Sequence, residues 1–153
     1  MSRVVEILIA ASPETPMAAV LTVRAIPGRG LEGDRYFTGA GTFSKTPPRP
    51  DYELTLIQKE HIEAFSGASG LSFTSRDARR NVVTEGVDLN AYVGKEFRIG
   101  EVLMRGIRLC EPCNYLAEKT SPEVMQGLAH KGGLRAQILS EGIFHAGDPI
   151  KSG

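Results

Sequence analysis

Apolar residues fall in short runs rich in Val, Ile and Leu, and glycine or proline breaks nearly every run. That punctuation, with apolar and polar positions alternating, is the signature of strands rather than long helices. The pattern predicts strands at Val4–Ala10, Ala19–Ile26, Glu53–Ile57, Asn81–Thr84, Glu96–Ile99, Val102–Ile107 and Leu134–Leu139. A short return runs from Gly142–Phe144 to Asp148–Ile150. Helical spacing is sparser. Gln58–Phe65 sets Ile62 and Phe65 on one face and ends in the region of Gly67 and Gly70, while Ser121–Ala129 has Ser121 as a cap and Pro122 where a missing N–H costs nothing.

Many short strands without regular βα alternation argue against a doubly wound sheet. They predict a mainly β fold with a few short helices, closed into a barrel. At 153 residues the chain reads as one domain over 1–153, with its core at about 20–150. Pro27–Asp51 is too long for an inert connection in a compact domain. It holds the charged and aromatic stretch Gly30-Leu31-Glu32-Gly33-Asp34-Arg35-Tyr36-Phe37, and its tail from Gly39 to Pro50 reads as flexible.

Lysine plus arginine (18) equals aspartate plus glutamate (18), so no net field selects nucleic acid or an anionic membrane, and an anion site must be local. The first ten residues, interrupted by Glu6, are too short for a signal-peptide core or a membrane span; a cytoplasmic protein is the expectation. In a reducing compartment its two cysteines are free for thiol chemistry.

Three constellations could carry chemistry. Cys110-Glu111-Pro112-Cys113 follows a predicted strand and precedes a helical turn, whose free N–H groups would favour a thiolate. The alternative is a pair of cysteines filling the core as small apolar residues. A structural zinc site would need two further ligands at matching spacing, and thioredoxin-like chemistry a surrounding βαβ unit; neither is evident. Arg76-Asp77-Ala78-Arg79-Arg80-Asn81 offers guanidinium forks for phosphate and an amide for a heterocycle edge, or else a salt-bridged surface turn. In His130-Lys131-Gly132-Gly133-Leu134-Arg135 the glycine pair either admits an anion to backbone N–H groups or simply makes a turn. Asp34 and Glu32 are neighbouring carboxylates without an evident partner base, and ion pairing to Arg35 or Arg29 is their plainest role.

Gly33-Asp34-Arg35-Tyr36, Arg79-Arg80-Asn81, Gly94-x-x-Phe97-x-Ile99-Gly100, Pro112-Cys113, Gly132-Gly133-Leu134-Arg135 and Gly147-Asp148-Pro149-Ile150 together resemble, in order and spacing, the MOSC family. That family is named for the molybdenum cofactor sulfurase C-terminal domain. The resemblance spans about Val20 to Ile150 and is to the short stand-alone bacterial members. It implies a closed β-barrel similar to the barrel domain of pyruvate kinase, and a cysteine, here Cys113, that ligates molybdenum or carries sulfur as a persulfide. It implies that Arg79 and Asn81 contact molybdopterin. Arg135 is a third candidate anion contact, and Asp34 and Arg35 lie on a loop that would cover the site.

The leading expectation is therefore a protein that binds molybdenum cofactor, held stably or in passing, with Cys113 as metal ligand or persulfide carrier. Such a protein could reduce N-hydroxylated compounds, as a molybdenum-dependent oxidoreductase, or act as a sulfur transferase. The alternatives are a carrier without turnover that delivers sulfur or cofactor to a partner, and a thiol redox protein using Cys110 with Cys113. Expected partners are a small-molecule pterin or sulfur donor and a molybdoenzyme, cysteine desulfurase or reductase, with no nucleic acid and no membrane.

Overall fold

The structure is a computed structural model that describes residues 2–38 and 50–153. The predicted flexible tail therefore lies, but for Pro50, outside the described residues. In chain order the elements are β1 (Arg3–Ile9), β2 (Ala18–Val20), β3 (Thr22–Ile26), β4 (Gly30–Leu31), α1 (Arg35–Thr38), β5 (Leu54–Gln58), α2 (Lys59–Ser69), α3 (Ser75–Ala78) and β6 (Val82–Glu85). They continue as β7 (Glu96–Ile99), β8 (Val102–Leu109), α4 (Asn114–Lys119), α5 (Val124–Gly127), β9 (Leu134–Ile138), β10 (Gly142–His145) and β11 (Ile150–Ser152). Single 3-10 turns occupy Pro50–Tyr52 and Leu89–Tyr92.

Eight strands form one curled sheet in the order β11-β7-β8-β9-β5-β6-β1-β2, and β10-β3-β4 form a second. The pairs are antiparallel except β5 with β6, which are parallel and joined through α2 and α3. The mainly β class with short helices is as the sequence pattern implies. The expected closure is corrected: the large sheet is a half-barrel. Closure would need a ladder between β1 and β11, but β2 occupies that margin of β1 from Ile7 to Ile9. An isolated bridge between Arg3 and Pro149, with backbone hydrogen bonds from Val4 to Asp148, Gly147 to Val4 and Ile150 to Ser2, spans the remaining gap without making a ladder of the two strands.

The predicted strand Ala19–Ile26 breaks at Leu21, which is 81% exposed; there the chain leaves one sheet for the other. The inside of the curl is filled by Val4, Ile7, Leu56, Phe97, Ile99, Met104, Leu134 and Phe144. Val4 and Ile7 point the same way despite a spacing of three because the pairing with β6 shifts register between Val4 and Glu6. β5 is buried on both faces, sending Leu54 and Leu56 inward and Ile57 to the helices.

The helical layer covers the other face through Ile62 and Phe65 of α2, Phe73, Val124 and Leu128. Phe65 meets Phe73 edge-on, with ring centroids 5.1 Å apart. α2 ends in the predicted region, at Gly70, whose left-handed φ of 74° lets its N–H reach the Ser66 carbonyl. The predicted helix at Ser121–Ala129 shrinks to one turn. Gly127 presses so closely on Phe65 that a Cβ there would lie 2.3 Å from the ring, and the Ser121 hydroxyl accepts only from the nearby Glu123 N–H. No described helix is long and apolar enough to cross a membrane.

Candidate functional site

β4 ends in a turn that carries Asp34, Arg35 and Tyr36 to one end of the half-barrel. Asp34 is fully buried: its carboxylate accepts from the Ala10 N–H (3.1 Å), the Arg35 guanidinium (3.1 Å) and the Tyr36 N–H (3.2 Å). The Arg35 N–H in turn donates to the Ala10 carbonyl at 2.7 Å. Asp34 therefore ties the end of β1 to α1 and aims Arg35 and Tyr36, without lining any cleft itself.

α3 is set by a reciprocal capping box between Thr74 and Asp77, and Arg79 closes it in the left-handed region at φ 55°. From that backbone the Arg79 guanidinium reaches the carbonyls of Thr15 (2.9 Å) and Pro13 (3.0 Å). Asn81, two residues on, turns the other way. Its Oδ1 accepts from the Thr55 N–H (3.0 Å) and hydroxyl (3.2 Å), and its Nδ2 donates to the Leu8 carbonyl (3.1 Å). With no exposure and all those bonds made, Asn81 joins β5 to β1 and is not part of the cleft wall. Arg80, between them, is the residue of this triplet that is both buried and on the cleft.

The cleft has a volume of about 280 Å³, near the lower bound for ligand pockets, roughly 300 Å³. Among the described residues five arginines line it, Arg35, Arg79, Arg80, Arg108 and Arg135, and Glu111 is the one acid. Two tyrosines complete the wall. The Arg35 guanidinium sits 4.8 Å from the Tyr36 ring centroid, and those of Arg135 and Arg108 lie 5.2 Å and 5.8 Å from that of Tyr52. Burial disfavours the Arg135 cation, but its hydrogen bond to Tyr36 and the ionisable Cys110, Tyr36 and Tyr52 around it work the other way, and its pKa is raised. Burial likewise pushes Asp51 up, yet its hydrogen bond from Arg108 (2.8 Å) and the two nearby guanidinium charges bring it below the usual carboxylate range.

Cys113 stands on this wall, half-buried, as the residue that opens α4. Cys110 is buried and off the wall, and both thiols are free. The glycine pair is required by packing. A Cβ on Gly133 (φ 114°) would sit 1.9 Å from the Leu56 carbonyl oxygen, and one on Gly132 would sit 2.4 Å from that of Cys110. Among the described residues no cluster of three His, Cys, Asp or Glu could hold a metal ion. A metal here would have to bring most of its own ligands.

Of the residues singled out in the sequence, the structure brings Cys113, Arg79, Arg135 and Arg35 to one cleft and leaves Asn81 and Asp34 behind it. Sequence reasoning missed Arg108 and Tyr52 as wall residues, and held Arg80 and Tyr36 only as members of quoted motifs. Alternation gave no signal for Arg108: the register shift between Gly106 and Arg108 pairs it with Arg135, on the face opposite Val102, Met104 and Gly106.

A family model described as the MOSC domain matches residues 33–151. The fold is similar to the crystal structure of the YuaD protein from Bacillus subtilis (TM-score 0.80, 16% identity, covering 98% of this chain and 94% of that one). It is also similar to YiiM from Geobacillus stearothermophilus (0.77, 17%, 100% and 75%) and YiiM from Escherichia coli (0.73, 21%, 99% and 69%). No curated protein matches the sequence.

Proposed function

The chain belongs to the MOSC domain family, a family linked to molybdenum cofactor and its sulfur chemistry, and on that premise we propose that the cleft binds molybdenum cofactor, or a related phosphorylated pterin, with Cys113 as the working thiol. The observation that carries this reading is the meeting of a half-buried thiol with five guanidinium groups and two aromatic rings in one cleft.

The residues suit such a group. Guanidinium forks bind phosphate bidentately, and Tyr36 and Tyr52 offer flat faces to a heterocycle. A soft thiolate is a fitting single protein ligand for molybdenum. Arg79, Arg80, Arg108 and Arg135 would hold the anion, Arg35 would orient Tyr36, and Cys113 would meet the metal. When bound, reduced molybdenum supplies an acceptor for the oxygen of an N-hydroxylated compound. The protein's own share is to concentrate the anion, exclude competing water and present the thiol.

A second reading is favoured by the half-exposed position of Cys113. Its thiolate can attack the outer sulfur of a donor persulfide, forming a new S–S bond to Cys113 and releasing the donor's thiolate. The chain would then carry sulfur from a cysteine desulfurase to a partner molybdoenzyme, without turnover of its own.

The test is expression in a host that makes molybdenum cofactor, followed by metal analysis and by fluorescence of the oxidised pterin. Metal and pterin bound to the wild type and lost in Cys113→Ser support the first reading. A gain of one sulfur on Cys113, removed by cyanide, supports the second. Absence of metal, pterin and sulfur adduct defeats both. Cys110→Ser is expected to leave each signal in place, and its loss there would instead favour a paired-thiol redox protein.

A further inference from the structure

We propose that Arg80 is a positioning residue that sets the posture of the Cys113 thiol. Arg80 is 8% exposed, and its guanidinium donates to four carbonyl oxygens: Gly132 (2.8 Å), Cys110 (3.1 Å), Ala78 (3.3 Å) and Glu111 (3.5 Å). No carboxylate among the described residues pairs with it. A buried cation met only by carbonyl dipoles is stable while those dipoles stay aimed at it, so the peptide planes at 110 and 111 take their orientation from this side chain.

The same segment is pinned from its other side. The Cys110 N–H donates to the Gly133 carbonyl at 2.7 Å, and Gly132 approaches Cys110 and Pro112 too closely to admit a Cβ. Pro112 then fixes its own φ, and the Cys113 carbonyl is held by the Ala117 N–H at 3.0 Å. Between the carbonyls that Arg80 grips and the thiol there is one stiff residue and no slack. Arg80 also lines the cleft, on the same wall as Cys113.

The inference rests on Cys113 as the working thiol and is independent of what that thiol carries. The experiment reads the sulfur by its reaction with iodoacetamide in the full chain from pH 6 to 9, scoring Cys110 and Cys113 separately by peptide mass. Arg80→Lys keeps the charge and loses the fork; Arg80→Ala loses both and can be refilled with methylguanidinium. The expected result is a Cys113 rate at least threefold above wild type in Arg80→Lys, with a displaced pH profile and Cys110 still protected. In Arg80→Ala, methylguanidinium should return the rate towards wild type. Wild-type rates in both variants overturn the proposal. So does parallel acceleration of Cys110 and Cys113, which would mean that Arg80 only holds the fold. Metal, pterin and sulfur binding can fail with this result intact, so the two readings fall separately.

Discussion

Asn81 and Thr55 exchange hydrogen bonds in both directions: the Asn81 N–H donates to the Thr55 hydroxyl at 3.1 Å, and the Thr55 N–H donates to the Asn81 side-chain oxygen at 3.0 Å. The amide side chain thus completes the ladder between β5 and the segment entering β6, and extends it to Leu8 on β1.

Replacing Asn81 by alanine leaves the Thr55 N–H and the Leu8 carbonyl buried without that partner. Each such group costs about 1–3 kcal/mol, so Asn81→Ala is expected to lose about 3 kcal/mol, a fall in Tm of about 10 °C by calorimetry. Inorganic phosphate affinity, measured well below the transition, should be unchanged. A stable Asn81→Ala protein with weakened phosphate binding would return Asn81 to the ligand.

Asp34 and Arg35 form an ion pair with side-chain exposures of 0% and 5%. Removing one partner strands a buried charge, and Asp34→Ala is expected to lose about 3–5 kcal/mol in urea unfolding. The double variant Asp34→Ala with Arg35→Met should be less destabilised than the two single losses summed. Simple additivity would show that the pair carries no coupling.

Glu53 gives stability a pH dependence of known sign. Burial raises its carboxyl above the ordinary glutamate value, although the N–H groups of Ile138 (2.9 Å) and Gly28 (3.3 Å) pull the other way. The folded chain then holds that proton more tightly than the unfolded one. Its contribution is fully present below about pH 4.3, the ordinary glutamate value, and is lost as pH rises through the folded value. Glu53→Gln keeps an acceptor for both N–H groups and removes the titration. Its unfolding midpoint relative to wild type should climb as pH goes from about 4 to 7. A constant difference would show that Glu53 does not titrate in this way.

Asp51 competes with any anion for Arg108. The pair is worth roughly 0.2–1 kcal/mol at this exposure, so Asp51→Asn is expected to tighten inorganic phosphate binding about 1.4- to fivefold by calorimetric titration. Unchanged or weaker binding would place Arg108 outside the anion's reach. In the wild type, acid should mimic the substitution, because Asp51 stays ionised until the pH falls through its lowered value.

Short apolar runs made β1, β5, β7, β8 and β9 legible; β7 and the first half of β8 bury one face at period two, β5 buries both, and β1 breaks the period at its register shift. It could not reveal that β1 is flanked by β2 instead of β11, because pairing across 140 residues leaves no local mark. In the site, the cysteine and the arginines were legible as types. Which way each one points was not: Arg79 adopts a left-handed backbone, so the facing of Arg79, Arg80 and Asn81 follows neither helix nor strand periodicity. Arg80 was in view in the sequence, but its carbonyl partners at 78, 110, 111 and 132 are assembled by tertiary contact alone.

A sheet that stops short of closing keeps two margins where another chain could add a strand. Here both margins are blunt. β2 and β11 are three residues each, Pro16 lies just before one and Pro149 just before the other, and Lys151 stands exposed on the last strand. Short, charged, proline-flanked borders give little purchase for edge-to-edge growth. The half-barrel can thus stay open at high concentration without seeding aggregates.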